Sequence, residues 1–167
     1  SDLDSSNASV CQEVLNDPLL IYGRKINIRV YLLIVCTNNV NMYMYDDGFI
    51  YYAKKKWDDT ISFDTHITSG YVERTIYDTH PLTLKNLYEH IGTKNADMLK
   101  ENIFKLMNNL QKAYHNKLKF KDTNSKGITR CNILGVDIAP NDKYDVTIME
   151  INKGPDLNAK DERDEYL

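Results

Sequence analysis

The sequence predicts an α+β fold in which helices pack against an antiparallel sheet. Two features predict the sheet: polar and apolar residues alternate over 25–30, and two further strand-like segments follow at 133–138 and 144–151. A third feature predicts the helices, since apolar residues recur at helical spacing through 96–120. A repeat of two residues is typical of a strand with one buried face, whereas a repeat of about 3.6 is typical of an amphipathic helix.

The composition is that of one globular domain with a real core. The chain has 167 residues, of which 42% are hydrophobic and 27% are charged. Its 21 Lys and Arg against 24 Asp and Glu lack the basic excess typical of general nucleic-acid binding. The longest apolar run, 30–36, is too short to cross a bilayer, so we expect neither nucleic acid nor a membrane as a partner. Three scattered cysteines indicate reduced thiols and a cytoplasmic location.

The first half of the chain contains most of the predicted strands. Residues 1–9 are polar and are expected to form a flexible arm. One strand runs over 25–35, and a second over 40–45 after an Asn-Asn turn. The Asp-Asp-Gly sequence at 46–48 is typical of a hairpin and predicts a third strand over 49–53.

The second half alternates loops, helices and a final hairpin. Residues 54–77 show no clear period and are expected to be mostly loop. A short helix is predicted over 82–90 and a long amphipathic helix over 96–120. The two last strands pair around a turn at 140–143, and a highly charged tail follows over 158–167.

Oxygen-bearing side chains cluster in the last hairpin. Glu150 and Asn152 are two residues apart and therefore point to the same face, and the turn brings Asp137 toward them. Buried carboxylates would repel one another, and a hard cation such as Mg²⁺ relieves that cost because it prefers oxygen ligands. The alternative is an exposed sheet face on which these side chains simply meet water. The pattern alone leaves both interpretations open.

Cationic side chains line one face of the strand at 25–35. Lys25 and Arg29 lie on the same side with Asn27 between them, a spacing that suits a polyphosphate. The alternative is a solvated edge with long apolar stems. Together with the oxygen ligands, the cations indicate a nucleoside triphosphate. The sequence contains neither a P-loop motif nor a GxGxxG turn, so the binding mode must be of another kind.

Several segments, taken in order, resemble the tubulin–tyrosine ligase family of the ATP-grasp group. The matching segments are 12–15, 17–21, 23–31, 43–49, 66–69, 135–137 and 149–155. They resemble, among others, the family's Gly-Arg-Lys-Phe-Asp-Ile-Arg strand, its His-Leu-Thr-Asn element and its Glu-Val-Asn-x-x-Pro ending. The resemblance covers 10–157 and implies the C-terminal lobe of an ATP-grasp domain, with 158–167 as a tail.

The resemblance implies an activity: ATP-dependent ligation of an amino acid to a protein carboxylate through an acyl phosphate. The implied cofactors are ATP and Mg²⁺. The implied partners are a free amino acid and a protein with an acidic or C-terminal carboxylate acceptor, tubulin-like by resemblance. Such catalysis needs positioning and charge neutralisation, with no covalent protein nucleophile.

The resemblance also assigns roles to individual positions. A hinge would contact adenine, and its residues are Gln12, Glu13, Val14 and Leu15. Lys25 and Arg29 would face the phosphates or the reacting carboxylate. His66 and Thr68 would lie, with Arg29, near the γ-phosphate and the acceptor. The magnesium ligands would be Asp137, Glu150 and Asn152.

The chain departs from the family pattern at three positions. Asn27 stands where the family has Asp, Tyr51 where it has Arg, and Ser69 where it has Asn. The matching segments also begin at the hinge, so we expect a fragment that lacks the N-terminal lobe and is inactive alone. Two alternatives therefore stay open. One is a non-catalytic structural or scaffolding module in a virion or a cytoskeletal assembly, and the other is a nucleotide-binding regulator without turnover.

Overall fold

A computed structural model of the chain describes residues 12–37, 39–58, 60, 62–70, 72–118, 129–160 and 162–164. Its strands are β1 (Leu20–Ile21), β2 (Arg24–Cys36), β3 (Val40–Tyr52), β4 (Arg130–Pro140) and β5 (Val146–Lys153). Its helices are α1 (Phe63–His66), α2 (Leu84–Ile91) and α3 (Thr93–Leu118), with 3-10 turns at Arg74–Asp78 and Glu162–Asp164. The predicted α+β class is confirmed, whereas the arm expected at 1–9 lies outside the described residues.

The long strand β2 organises the sheet. It pairs with β3 along one edge and with β4 and the short β1 along the other, and β5 follows β4. All of these pairings are antiparallel. From Ile28 to Cys36, β2 is therefore flanked by β3 on one side and β4 on the other, which fixes the direction of its side chains.

The two faces of β2 have opposite characters. One face is fully buried and packs against α2 and α3 in a single hydrophobic core; its members include Ile26, Ile28, Val30, Leu87, Leu99 and Ile103. Burying each such side chain stabilises the fold by about 1.5–3 kcal/mol. The alternate residues of β2 therefore point away from the helices, and they include the polar residues that the sequence singled out, Lys25, Asn27 and Arg29.

The predicted hairpin at 46–48 is wrong, because β3 is one continuous strand over Val40–Tyr52. The Asp-Gly pair forms a bulge: Val30 pairs with Gly48, but Leu32 pairs with Met44. The Asp47 carboxylate is buried and accepts hydrogen bonds from the backbone N–H of Gly48 (2.8 Å) and of Lys85 in α2 (3.0 Å). Asp47 thus ties the strand to the helix instead of starting a turn.

The helices follow the predictions closely. The helix expected over 82–90 is α2, whose start is fixed by Thr83: its hydroxyl accepts from the backbone N–H of Asn86 at 3.1 Å. The long helix α3 begins at Thr93, a few residues before the predicted start. The segment 54–77 is mostly loop, as predicted, with α1 and one 3-10 turn within or beside it. No helix in the described ranges is long and apolar enough to span a membrane.

Substituting Gly48 by Ala should destabilise the protein by about 2 kcal/mol, because a Cβ atom would overlap the backbone oxygen of Arg29 in β2. Denaturant unfolding followed by circular dichroism measures the loss. The matched control is Gly70→Ala, whose new Cβ would make only an ordinary 3.4 Å contact with the Phe63 ring. Equal stabilities of the two variants would contradict the close approach of β2 and β3.

Candidate functional site

One face of the sheet gathers polar side chains from three strands, and we call it the polar face. Its members are Lys25, Asn27 and Arg29 of β2, Asp137 of β4, and Glu150 and Asn152 of β5. Arg29 pairs directly with Asp137, and Asp137 pairs with Glu150. The register of β4 and β5 shifts next to Asp137, which leaves Met149 as an extra residue in β5. Residues far apart in the sequence thus meet at one place.

Asp137 is the centre of the polar face. Arg29 donates from Nε to Oδ1 and from Nη2 to Oδ2, both at 2.7 Å. The side-chain amides of Asn152 and Asn27 donate to the same carboxylate at 3.3 and 3.5 Å. Asp137 is only 7% exposed, so these donors compensate the cost of burying its charge. The hydrogen bond and the charge of Asp137 also raise the pKa of Arg29 against the opposing effect of burial.

The polar face presents oxygen atoms of the chemical type that a hard cation such as Mg²⁺ prefers as ligands. Within the described ranges, no three His, Cys, Asp or Glu side chains cluster as a metal site. The possible metal ligands on the polar face are two carboxylates together with side-chain amide oxygens. The Oδ1 atom of Asn27 is buried without a hydrogen-bond partner, which costs about 1–3 kcal/mol. A carboxylate has about four lone-pair directions, and the Asp137 carboxylate already accepts four hydrogen bonds, so a metal ion there would have to displace one of these donors. The assignment of Asp137, Glu150 and Asn152 as magnesium ligands therefore stays a prediction.

Lys25 lies beside two neighbouring rings, Trp57 of the segment after β3 and His66 at the end of α1. Its ammonium lies 5.9 Å from the ring centroid of Trp57, and the Trp57 and His66 rings lie 4.2 Å apart. Lys25 is 6% exposed, and this burial lowers its pKa. The His66 Nδ1 atom shares a 2.8 Å hydrogen bond with Thr65 Oγ1. Sequence reasoning did not assign a role to Trp57, because a single aromatic residue in a loop has no periodic partner.

A cavity of about 550 Å³ opens beside the ion pair of Arg29 and Asp137. Thr68 and Ser69 line it, whereas the His66 ring lies against Trp57 instead. The Tyr51 ring also lines it, 5.7 Å from the Arg29 guanidinium carbon. Burial raises the pKa of Tyr51, so this phenol stays neutral. The structure thus brings Thr68 together with Arg29 at a cavity that is partly aromatic.

The predicted hinge lies at the edge of β5. Gln12 donates from its side-chain amide to the backbone oxygen of Met149 at 3.2 Å. Gln12, Glu13 and Val14 are exposed and Leu15 is half-buried. None of these four residues lines the 550 Å³ cavity. Their expected contact with adenine therefore stays a prediction.

A second ion pair at the cavity was not predicted from the sequence. Arg74 Nη2 lies 2.6 Å from Asp164 Oδ1, and both residues line the cavity. The partners are 90 residues apart, and Asp164 belongs to the charged tail. No local pattern connects them, so only the folded chain reveals the pair.

Comparison with known proteins identifies the family of this chain. The model of the tubulin-tyrosine ligase family matches residues 1–167. The chain belongs to this family. The family resemblance carried by the short motifs is thereby confirmed, although the roles assigned to single residues remain predictions.

Several curated members of the tubulin-tyrosine ligase family are similar to the chain. It is 27% identical over 169 residues to the probable tubulin polyglutamylase TTLL9 of Rattus norvegicus, which covers 95% of this chain and 35% of that protein. It is 22% identical to the tubulin polyglutamylase ttll-4 of Caenorhabditis elegans, with 95% and 29% covered. It is 26% identical to the probable tubulin–tyrosine ligase PBY1 of Saccharomyces cerevisiae, with 89% and 21% covered. The chain thus spans about a third or less of these relatives.

Replacing Asp137 by Asn should lower the free energy of unfolding by about 3 kcal/mol. The Arg29 guanidinium would keep its charge but lose the carboxylate whose two oxygens it contacts. Equilibrium unfolding in urea measures the change. Glu150→Gln is the control, since it removes the same charge from an exposed position on the same face and should shift stability by less than about 0.5 kcal/mol. A similar loss of stability in both variants would show that the ion pair contributes no more to stability than an exposed charge does.

Proposed function

We propose that this chain is part of an ATP- and Mg²⁺-dependent ligase that joins an amino acid to a protein carboxylate. The observation that carries the proposal is the polar face, where two cations and four oxygen-bearing side chains converge from β2, β4 and β5. The names of the relatives, which are polyglutamylases and a tyrosine ligase, support a tubulin-like acceptor and a free amino acid. An acceptor of the tubulin type favours a location of this protein in the cytoplasm or at the cytoskeleton.

Phosphate binding would fall to Lys25 and Arg29. Burial already lowers the pKa of Lys25, which means that its charge lacks full solvation. An anionic phosphate would supply the compensation that this ammonium lacks, and the Trp57 ring holds the side chain in place. Arg29 is bound to Asp137 through Nε and Nη2, so it would donate to phosphate or carboxylate oxygens from the other N–H groups of its guanidinium. Gln12 to Leu15 would contact the adenine.

Asp137, Glu150 and Asn152 would hold magnesium. When bound, the metal neutralises the charge that develops on the transferring phosphoryl group. Asn152 and Asn27 would keep the Asp137 carboxylate oriented through the amide hydrogen bonds that they already donate. The chain's own contribution is thus a rigid set of oxygens on three neighbouring strands.

The reaction would proceed in two balanced steps. An acceptor carboxylate oxygen attacks the γ-phosphorus and ADP leaves, which forms an acyl phosphate. The amine of the incoming amino acid then attacks the acyl carbon, loses a proton and expels inorganic phosphate. Thr68, which lines the cavity beside Arg29, would donate a hydrogen bond to the reacting groups, and His66 would position Lys25 through Trp57.

A second candidate is a non-catalytic module with the same fold, in a structural or regulatory role. One observation favours it: Arg29 is already bound to Asp137 by both ends of its fork, and Tyr51 covers the guanidinium. Asn27 and Ser69 also depart from the family pattern at this site. In such a module the ion pair would serve stability instead of turnover.

Glu150→Gln should weaken ATP binding in the presence of Mg²⁺ by about tenfold or more, because one charged metal ligand is lost. Isothermal titration calorimetry on the protein in its full natural length measures this. Without Mg²⁺ the variant and the wild type should bind ATP equally. Glu89→Gln, an exposed charge change on α2, is the control and should leave both affinities unchanged. Unchanged magnesium-dependent binding in Glu150→Gln would exclude Glu150 as a ligand.

Turnover separates the two candidates. The full-length protein, given ATP, Mg²⁺, tubulin and either glutamate or tyrosine, should release ADP and add the amino acid to the acceptor, as seen by mass spectrometry. Lys25→Met should abolish this release because the phosphates lose a cation. ATP binding without ADP formation under every pairing would eliminate the ligase and leave the non-catalytic module.

A further inference from the structure

A carboxylate from the charged tail enters the cavity beside the polar face. Asp164 contacts Arg74 at 2.6 Å, and its side chain is only 3% exposed, against 28% for Arg74. The second carboxylate oxygen accepts from the backbone N–H of Lys160 at 2.9 Å. The 3-10 turn Glu162–Asp164 delivers this side chain into the same cavity that Arg29 and Asp137 line. The tail is thus anchored in the site by one acidic group.

The surroundings of Arg74 are those of a fixed anion receptor. The guanidinium carbon lies 5.4 Å from the Tyr77 ring centroid, and the Tyr77 hydroxyl donates to the backbone oxygen of Ile50 at 3.0 Å. Burial raises the pKa of Tyr77 to about 12, so the phenol stays a neutral donor at physiological pH. Arg74 therefore rests on a ring that the core strand β3 holds in place.

The charges of the described residues that line the cavity balance only when Asp164 is counted. The lining cations are Arg29, Arg74 and Lys160, and the lining anions are Asp137, Asp156 and Asp164. Asp137 is already matched by Arg29. If Asp164 withdrew, the described lining residues would carry one excess positive charge, and Arg74 would lose the carboxylate that it contacts at 2.6 Å. A cavity with that charge favours a ligand that brings one carboxylate.

We propose that Arg74 and Tyr77 form a carboxylate-binding subsite, which Asp164 of the same chain occupies as an internal stand-in for the ligand. The ligand is a carboxylate carried by a free amino acid or by an acidic peptide. Its identity as a substrate rests on the proposed ligase function, but the subsite itself does not. A tethered competitor has a local concentration in the millimolar range, so Asp164 lowers the apparent affinity for an external carboxylate.

The test measures binding of two probes, L-glutamate and an oligoglutamate peptide, by calorimetry to the full-length protein without ATP or Mg²⁺. Asp164→Asn keeps the shape of the side chain and removes the competing charge, so at least one probe should bind about tenfold tighter than to the wild type. Arg74→Gln added to Asp164→Asn should remove the whole gain. A gain for glutamate assigns the subsite to the amino acid, and a gain confined to the peptide assigns it to the acceptor.

Glu162→Gln is the matched control, because it removes the same charge from an exposed position in the same turn. It should leave both affinities at the wild-type value. Thermal unfolding of Asp164→Asn shows whether the variant is folded. If it is not, Arg74→Lys and Arg74→Gln in the wild-type background are titrated instead. Arg74→Lys should then keep weak binding of the probe, which Arg74→Gln loses. If neither probe binds Asp164→Asn more tightly, or if Glu162→Gln gives the same gain, the pair only anchors the tail and the subsite is excluded. Because no nucleotide is present, failure of the ligase proposal would leave these outcomes unaffected.

Discussion

The bidentate ion pair between Arg29 and Asp137 is the interaction on which the rest of the site depends. It joins the central strand β2 to β4 at directly paired positions, on the face that the helices leave uncovered. Two buried charges are tolerated there only because each satisfies the other and because two amides complete the carboxylate. The pair therefore holds the Asp137 carboxylate in place beside the side-chain amides of Asn27 and Asn152.

The hydrophobic core makes this polar arrangement obligatory. Ile28 and Val30 are fully buried under the helices, so the residues between and beside them must face the other way. A slip of one residue in β2 would bury Arg29 in the core and expose these apolar side chains. The free energy of core packing thus selects the register that also aligns Arg29 with Asp137.

Local periodicity was enough to predict β2, β4, β5 and the two longer helices, since each has a repeat that burial enforces. It was not enough for β3, where the Asp-Gly pair resembles a turn. Asp47 forms its decisive hydrogen bond with Lys85, which lies 38 residues further along the chain. The pairing of Arg74 with Asp164 spans 90 residues and was missed for the same reason. The polar face was predictable because its members share strand faces, whereas the Trp57 stack was not because loops have no period.

Both ion pairs of the cavity have a common physical consequence. In each, a cation that could bind an external anion is matched by an internal carboxylate: Asp137 for Arg29, and Asp164 for Arg74. The two carboxylates differ in their attachment, since Asp137 lies in the middle of the sheet whereas Asp164 lies in a short turn of the tail. Exchange of an internal for an external partner is therefore far less costly at Arg74, because only the tail and no sheet hydrogen bond has to move. The strand-borne pair thus preserves the geometry of the site, while the tail-borne pair can respond to a ligand.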